Sequence, residues 1–138
     1  MKQKYIELEN LLIKKYNITI IENSQCKSRT HAHCDKTRRI CKWKQVNSIK
    51  SLFTLAHEIG HIETNKSKYR RCEQEYYATQ WAIDILSDYD IEIPDKIIER
   101  YQRYINMEYQ RGINKHATLP SKDVFKLVRQ QNIFKKED

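Results

Sequence analysis

The sequence contains very little glycine and very little proline. Among its 138 residues, glycine occurs only at Gly60 and Gly112, and proline only at Pro94 and Pro120. Phosphate-binding loops and dinucleotide-binding fingerprints need several glycines in one short loop, so both kinds of site are excluded. Because β-sandwiches and β-barrels need many turn residues, the same scarcity favours a fold built mainly from helices.

The sequence also lacks a long apolar run. No stretch approaches the roughly 20 apolar residues that a membrane-spanning helix needs. The first 16 residues are an amphipathic pattern with charges throughout, unlike a secretory signal. We therefore expect a cytoplasmic protein that makes no membrane contact and forms a single domain over residues 1–138. In a reducing cytosol its four cysteines are expected to be thiols or metal ligands.

Basic residues outnumber acidic ones, and the formal net charge is +8. Basic runs occur at 36–39, 42–44 and 66–71, interleaved with Trp43 and Tyr69. Such a pattern is compatible with phosphate contacts and base stacking, so a basic nucleic-acid-binding module is one alternative function. Since no DNA-reading motif accompanies these runs, we favour a solvated face or a docking surface for an acidic protein.

The spacing of apolar residues predicts a compact, helix-dominated α+β fold with a small β-sheet. Helices are predicted over residues 2–16, from a cap at Asn47 or Ser48 to residue 63, from about 70 to 87, from 95 to Gly112, and over 121–131. Strands are predicted at 18–22 and 38–43, where β-branched and apolar residues are concentrated. Residues 23–37 show no clear period, and 64–69 are predicted to form a polar loop.

One motif indicates chemistry: His57-Glu58-Ile59-Gly60-His61, inside the apolar helical segment. Histidines at i and i+4 lie one turn apart on the same helix face, so their imidazoles can hold one metal ion, and zinc is the usual occupant. Glu58 is rotated about 100° around the helix from His57, beside the metal but free to accept a proton. This arrangement is typical of a hydrolase in which the metal acidifies water and the carboxylate acts as general base.

A catalytic zinc site needs a third protein ligand, and three downstream carboxylates are candidates: Glu63, Glu73 and Glu75. Glu63 lies on or just after the same helix and is poorly placed to reach back. Glu75 shares a helix face with Ala78 and Ala82, whose small side chains allow close approach to the histidine helix. The spacing therefore favours Glu75 as the third ligand, but it does not exclude Glu63 or Glu73.

The segment LFTLAHEIGH, followed by a helix bearing Glu75, Ala78, Thr79, Trp81 and Ala82, resembles the ImmA/IrrE metallopeptidases. The likeness covers about residues 50–86, and the residues after about 90 lie outside it. Two departures stand out: Thr79 occupies a position where the family usually has Asn or Asp, and no Leu-Met-Pro follows the second helix.

The resemblance implies a zincin-like fold and a zinc-dependent endopeptidase. It implies zinc ligation by His57, His61 and Glu75, with Glu58 as the general base. It also implies a protein substrate, such as a helix-turn-helix transcriptional repressor of a phage or mobile element. The alternative is a non-catalytic, zinc-containing protein-binding factor, for example an inhibitor or anti-defence protein. Intact Glu58 argues against that alternative, because a structural metal site does not need it.

A second group of soft ligands lies in the polar stretch before the motif. It comprises Cys26, His31, His33, Cys34 and Cys41. These residues are candidates for a second metal site, although their spacing lacks the close cysteine pair of a standard zinc knuckle. Free thiols and surface histidines are the preferred interpretation, and either histidine is also a candidate for lining a substrate cleft.

Zinc peptidases commonly use a further side chain to stabilise the oxyanion. Tyr77 and His116 are conceivable for this role, and the sequence does not choose between them. Most of the other tyrosines in the later helices are expected to pack with buried rings and solvated hydroxyls.

Overall fold

Helices dominate the part of the chain that a computed structural model describes, which comprises residues 2–22, 33–35, 39–43, 48–65 and 71–112. Its helices are α1 (Lys2–Lys15), α2 (Ile49–Thr64), α3 (Arg71–Asp88) and α4 (Asp95–Gly112), and its strands are β1 (Thr19–Glu22), β2 (His33–Asp35) and β3 (Ile40–Trp43). The predicted dominance of helices is confirmed, and the first four predicted helices are present. The helix predicted over 121–131 lies outside the described residues, as does most of the loop predicted at 64–69.

The three strands form one sheet in the order β1-β3-β2. β1 runs parallel to β3, with Thr19 opposite Ile40, and β2 runs antiparallel to β3, with Cys34 opposite Cys41. The prediction of two strands was therefore incomplete, because β2 lies within the segment 23–37, for which no period was recognised. A strand of three residues is too short to display the alternation from which strands are predicted.

Helix α2 begins after Ser48, one of the two cap residues that the sequence predicts, and the cap is a capping box. Ser48 has an extended backbone, and its side chain accepts a hydrogen bond from the Ser51 amide. The Ser51 hydroxyl in turn accepts a hydrogen bond from the Ser48 amide. These bonds satisfy amide groups that a helix start leaves unpaired. The helix ends at Thr64, followed by Asn65 in the left-handed conformation.

The apolar side of α2 forms the centre of the main core. Leu52, Phe53, Leu55, Ala56 and Ile59 are fully buried there. A helix buried this completely has little freedom to shift, because protein interiors are close-packed. The two histidines are therefore carried by one of the most constrained elements of the fold.

Helices α2 and α3 approach each other closely at Gly60. A Cβ atom added at Gly60 would lie 2.7 Å from the carbonyl oxygen of Ala78, which is closer than such contacts occur. Ala78 and Ala82 are fully buried in this contact layer, as the spacing of small residues predicts. The glycine of the motif thus has a packing role, since any side chain there would push the two helices apart.

Helix α4 packs against α3, and their contact includes a small second core. Cys72, at the start of α3, and Ile105, in the middle of α4, are both buried, with Tyr76 and Tyr109 packed around them. This contact fixes the middle of α4 beside the first turn of α3. The neighbouring residues Arg71 and Tyr104 are brought together as a result.

Candidate metal centre

Three side chains from two helices converge at the α2–α3 contact. His57, His61 and Glu75 are all buried, and one ligand atom from each lies within 4.8 Å of the others. Nε2 of His57 lies 3.1 Å from Oε2 of Glu75, and Nε2 of His61 lies 3.3 Å from Oε1 of the same carboxylate. The structure thus brings together the three residues that the sequence analysis selected as metal ligands.

Local geometry explains this convergence. The helical spacing of His57 and His61 brings their ring centroids to 4.6 Å from each other on one face of α2. The contact between Gly60 and Ala78 brings α3 close enough for Glu75, one turn before Ala78, to reach both rings. The close approach at Gly60 is therefore part of what assembles the site.

The donor set fits a metal ion. In the described part of the chain, Nε2 of His57 is buried and lies 3.1 Å from Oε2 of Glu75, but without the geometry of a well-formed hydrogen bond. A buried polar atom without a hydrogen bond costs free energy, and coordination to a cation would satisfy it. Two imidazoles and one carboxylate are the protein ligands of a common class of catalytic zinc site, which keeps a further position open.

The electrostatics of the metal-free site are those of a strongly coupled group. Burial would lower the pKa of His57, but interactions with the carboxylates of Glu58 and Glu75 outweigh it and raise that pKa to about 9. Burial would raise the pKa of Glu75, but His57 and His61 hold it far below its usual range. Glu75 is therefore a carboxylate at neutral pH, which is the form that binds metal.

Glu58 is not one of the three converging side chains, but its carboxylate lies next to the ring of His57. Its Oε1 is 3.7 Å from Nδ1 of His57, and its side chain is 15% exposed. A carboxylate in this position has access to solvent while it stays close to the imidazole that would hold the metal. The contact is on the Nδ1 side of the ring, whereas Nε2 faces Glu75, and the role of Glu58 as general base stays a prediction.

The two other candidate ligands are placed elsewhere. Glu63 pairs with Arg39, which has left-handed backbone and also donates to the carbonyl oxygen of Tyr16. This contact ties the end of α2 to the end of α1. Glu73 is buried in the first turn of α3 but is not part of the metal-ligand group.

Three neighbours of the ligands were missed in the sequence. The ring of Tyr101 on α4 lies 4.7 Å from that of His57, and its hydroxyl is 3.4 Å from Oγ1 of Thr54. Arg71 contacts Oε1 of Glu75 at 3.2 Å, and Tyr104 on α4 interacts with its guanidinium group. The i, i+4 spacing of Arg71 and Glu75 could have indicated their ion pair from the sequence. Nothing in the sequence indicated where α4 packs.

Neither residue considered for oxyanion stabilisation gains support from the structure. The Tyr77 ring is partly buried and lies 5.3 Å from the Tyr76 ring. His116 lies outside the described residues.

The second candidate metal site is described only in part. Cys26 and His31 lie outside the described residues, and His33 and Cys34 are described as strand backbone alone. Cys41 is a fully buried free thiol whose pKa is raised to about 12, mainly by burial. Within the described chain only the group on α2 and α3 has the proximity of metal ligands, so the cysteine–histidine cluster stays a prediction.

The basic runs are also described only in part. Of their described side chains, Arg39 pairs with Glu63 and Arg71 pairs with Glu75. Both guanidinium groups are therefore engaged within the chain. The docking of a nucleic acid or an acidic protein stays a prediction.

Comparison with known proteins does not assign the chain to a family. No family model, curated protein or solved structure matches it. Among the described helices, none combines the length and apolar character that crossing a membrane requires. The chemistry of the site is therefore argued from its own geometry.

Proposed function

We propose that this chain is a zinc-dependent endopeptidase of the ImmA/IrrE type with a zincin-like α+β fold. The observation that carries the proposal is the convergence of His57, His61 and Glu75, buried and within 4.8 Å, next to the carboxylate of Glu58. A purely structural metal site has no need for a solvent-accessible carboxylate beside its ligands. The three buried ligands together with the accessible carboxylate of Glu58 therefore support hydrolysis rather than metal storage.

Each residue has a separate task in this proposal. His57, His61 and Glu75 would hold the zinc ion, which supplies Lewis acidity that activates water and polarises a peptide carbonyl. Glu58 accepts the proton of the attacking water on its carboxylate and delivers it to the leaving amine. The close packing of α2 on α3 keeps these side chains in position, which such a reaction needs because misplacement by about 1 Å is costly.

The proposed substrate is a regulatory protein, such as a helix-turn-helix repressor of a phage or mobile element. The support for this substrate is the resemblance of residues 50–86 to the peptidase family. Since transcriptional repressors act in the cytoplasm, the same proposal expects the enzyme there.

The decisive test of catalysis is Glu58→Gln. This change keeps the size of the side chain and removes its basicity, so cleavage should fall by about 10²–10⁴-fold while zinc content stays the same. The assay incubates the full chain with repressors encoded beside its gene and follows cleavage by mass spectrometry. Glu99→Gln, at an exposed position of α4, is the matched control and should cleave normally.

Two results would count against the proposal. Cleavage that persists in Glu58→Gln would contradict the assigned mechanism. A chain that binds zinc and captures a repressor, with equal affinity in the native and Glu58→Gln forms but without cleavage, would instead support the non-catalytic binding factor.

A further inference from the structure

Helix α4 lies outside the segment that resembles known peptidases, yet it reaches the ligands of the metal site. We propose that Arg71 and Tyr104 are positioning residues, which hold the carboxylate of Glu75 in its orientation toward the two histidines. The inference rests on the proposed metal centre and adds residues to it that no motif contains.

Arg71 is placed to hold a single carboxylate oxygen. It lies one helical turn before Glu75, and its guanidinium nitrogen is 3.2 Å from Oε1. The other oxygen, Oε2, faces Nε2 of His57 at 3.1 Å. Oε1 also lies 3.3 Å from Nε2 of His61, so each oxygen faces one histidine, and Arg71 fixes which oxygen faces which.

Arg71 by itself would restrain the carboxylate of Glu75 only weakly. Its side chain is 57% exposed, whereas that of Glu75 is 3% exposed. An exposed helical ion pair contributes little, because ordering a long side chain costs conformational entropy and solvent screens the charge. A second contact that restricts the guanidinium would make the pair more effective.

Tyr104 supplies that second contact from a different element. Tyr104 interacts with the guanidinium of Arg71, and the Cys72–Ile105 contact places the backbones of these two residues side by side. Arginine suits the task because its planar, forked group can donate to two acceptors at once. Outer partners of this kind orient metal ligands, and their loss typically weakens metal binding by about 10–100-fold.

The first test measures zinc affinity by chelator competition on the full chain. Arg71→Gln should weaken zinc binding by about 10–100-fold and Tyr104→Phe by a smaller factor. The double variant should be no weaker than Arg71→Gln, because Tyr104 acts through Arg71. Arg71→Lys should restore only part of the affinity, since an ammonium is a point charge without the fork.

Two control variants change the same residue types elsewhere. Arg103→Gln removes an exposed arginine of α4, and Tyr89→Phe removes a hydroxyl that accepts from Lys15. Neither should change zinc affinity. Thermal unfolding of the metal-free variants confirms that each is folded before its affinity is compared.

A spectroscopic readout separates positioning from general stability. With cobalt(II) in place of zinc, the visible absorption reports the number and geometry of the ligands. Arg71→Gln should alter this spectrum, because Glu75 is then free to change its orientation at the metal, whereas Arg103→Gln should reproduce that of the native chain.

The outcomes distinguish this inference from the proposed function. Zinc binding in the native chain together with unchanged affinity and cobalt spectrum in Arg71→Gln overturns the inference and leaves the metal centre standing. Additive losses in the double variant overturn the part assigned to Tyr104. A native chain that binds no zinc overturns the proposed function and this inference together.

Discussion

The chain contains two groups of potential metal ligands, and they differ in how they are built. His57, His61 and Glu75 lie on two long helices and converge in a buried contact. The cysteines and histidines between residues 26 and 41 are spread along a segment whose described parts are two short strands. Helical periodicity brings ligands together within one turn, whereas the second group depends on the path of the chain between its members.

This difference explains why one group could be predicted and the other could not. An i, i+4 pair is set by the geometry of any α-helix, so the pattern alone was sufficient for His57 and His61. Glu75 required a tertiary contact, and the small residues Ala78 and Ala82 were the clue. No comparable rule relates Cys26, Cys34 and Cys41, since seven and six residues between cysteines correspond to no regular element.

The largest expected effect separates the candidate third ligands. Glu75→Ala should weaken zinc binding by more than about 100-fold, because it removes a ligand rather than an outer partner. Glu63→Ala should leave zinc affinity unchanged, since Glu63 pairs with Arg39 in the last turn of α2 and is not part of the metal-ligand group. Chelator competition measures both. Equal affinities in the two variants would mean that Glu75 is not a ligand.

A second prediction tests the helix contact that assembles the site. Gly60→Ala should lower the free energy of unfolding by about 1–3 kcal/mol, because the added methyl meets a backbone carbonyl that can move only with α3. Zinc affinity should fall as well, as Glu75 moves away from the two histidines. Urea unfolding and chelator competition check this, with Gln80→Ala at an exposed position of α3 as the control. An unaltered unfolding free energy would contradict the packing role of Gly60.

A third prediction concerns the thiol of Cys41 and its dependence on pH. Burial raises its pKa to about 12, so at pH 8 only on the order of one molecule in ten thousand carries the reactive thiolate. Alkylation of Cys41 in the folded chain should therefore be far slower than in the urea-unfolded chain, and the protection should decline as the pH rises toward 12. Peptide mass spectrometry after a short iodoacetamide pulse measures this, and equal labelling in both states would contradict it.

The smallest expected effect concerns the cysteine–histidine cluster, where we expect substitutions to leave the zinc content unchanged. If Cys26 and Cys34 are free thiols, Cys26→Ser and Cys34→Ser should each leave the zinc content of the chain as it was. Elemental mass spectrometry of tag-free protein provides the count. A loss of zinc in either variant would establish the cysteine–histidine cluster as a metal site and remove the contrast drawn above.

The fold was predictable to the extent that its elements are long and periodic. The four described helices followed from apolar spacing and from breakers such as Pro94, and the start of α2 followed from Ser48. β2 was missed because three residues carry no readable period. The placement of Tyr101 and Tyr104 was missed for another reason: it depends on how α4 packs against α3, which no local pattern in α4 indicates.

The central claim is that one metal ion is held by nitrogen and oxygen ligands from α2 and α3. The most direct measurement is zinc X-ray absorption fine structure on the zinc-loaded chain. The account predicts a first shell of nitrogen and oxygen atoms at about 2.0–2.2 Å, with the multiple-scattering pattern of two imidazoles. A sulfur shell at about 2.3 Å would move the metal to the cysteine cluster and contradict the account.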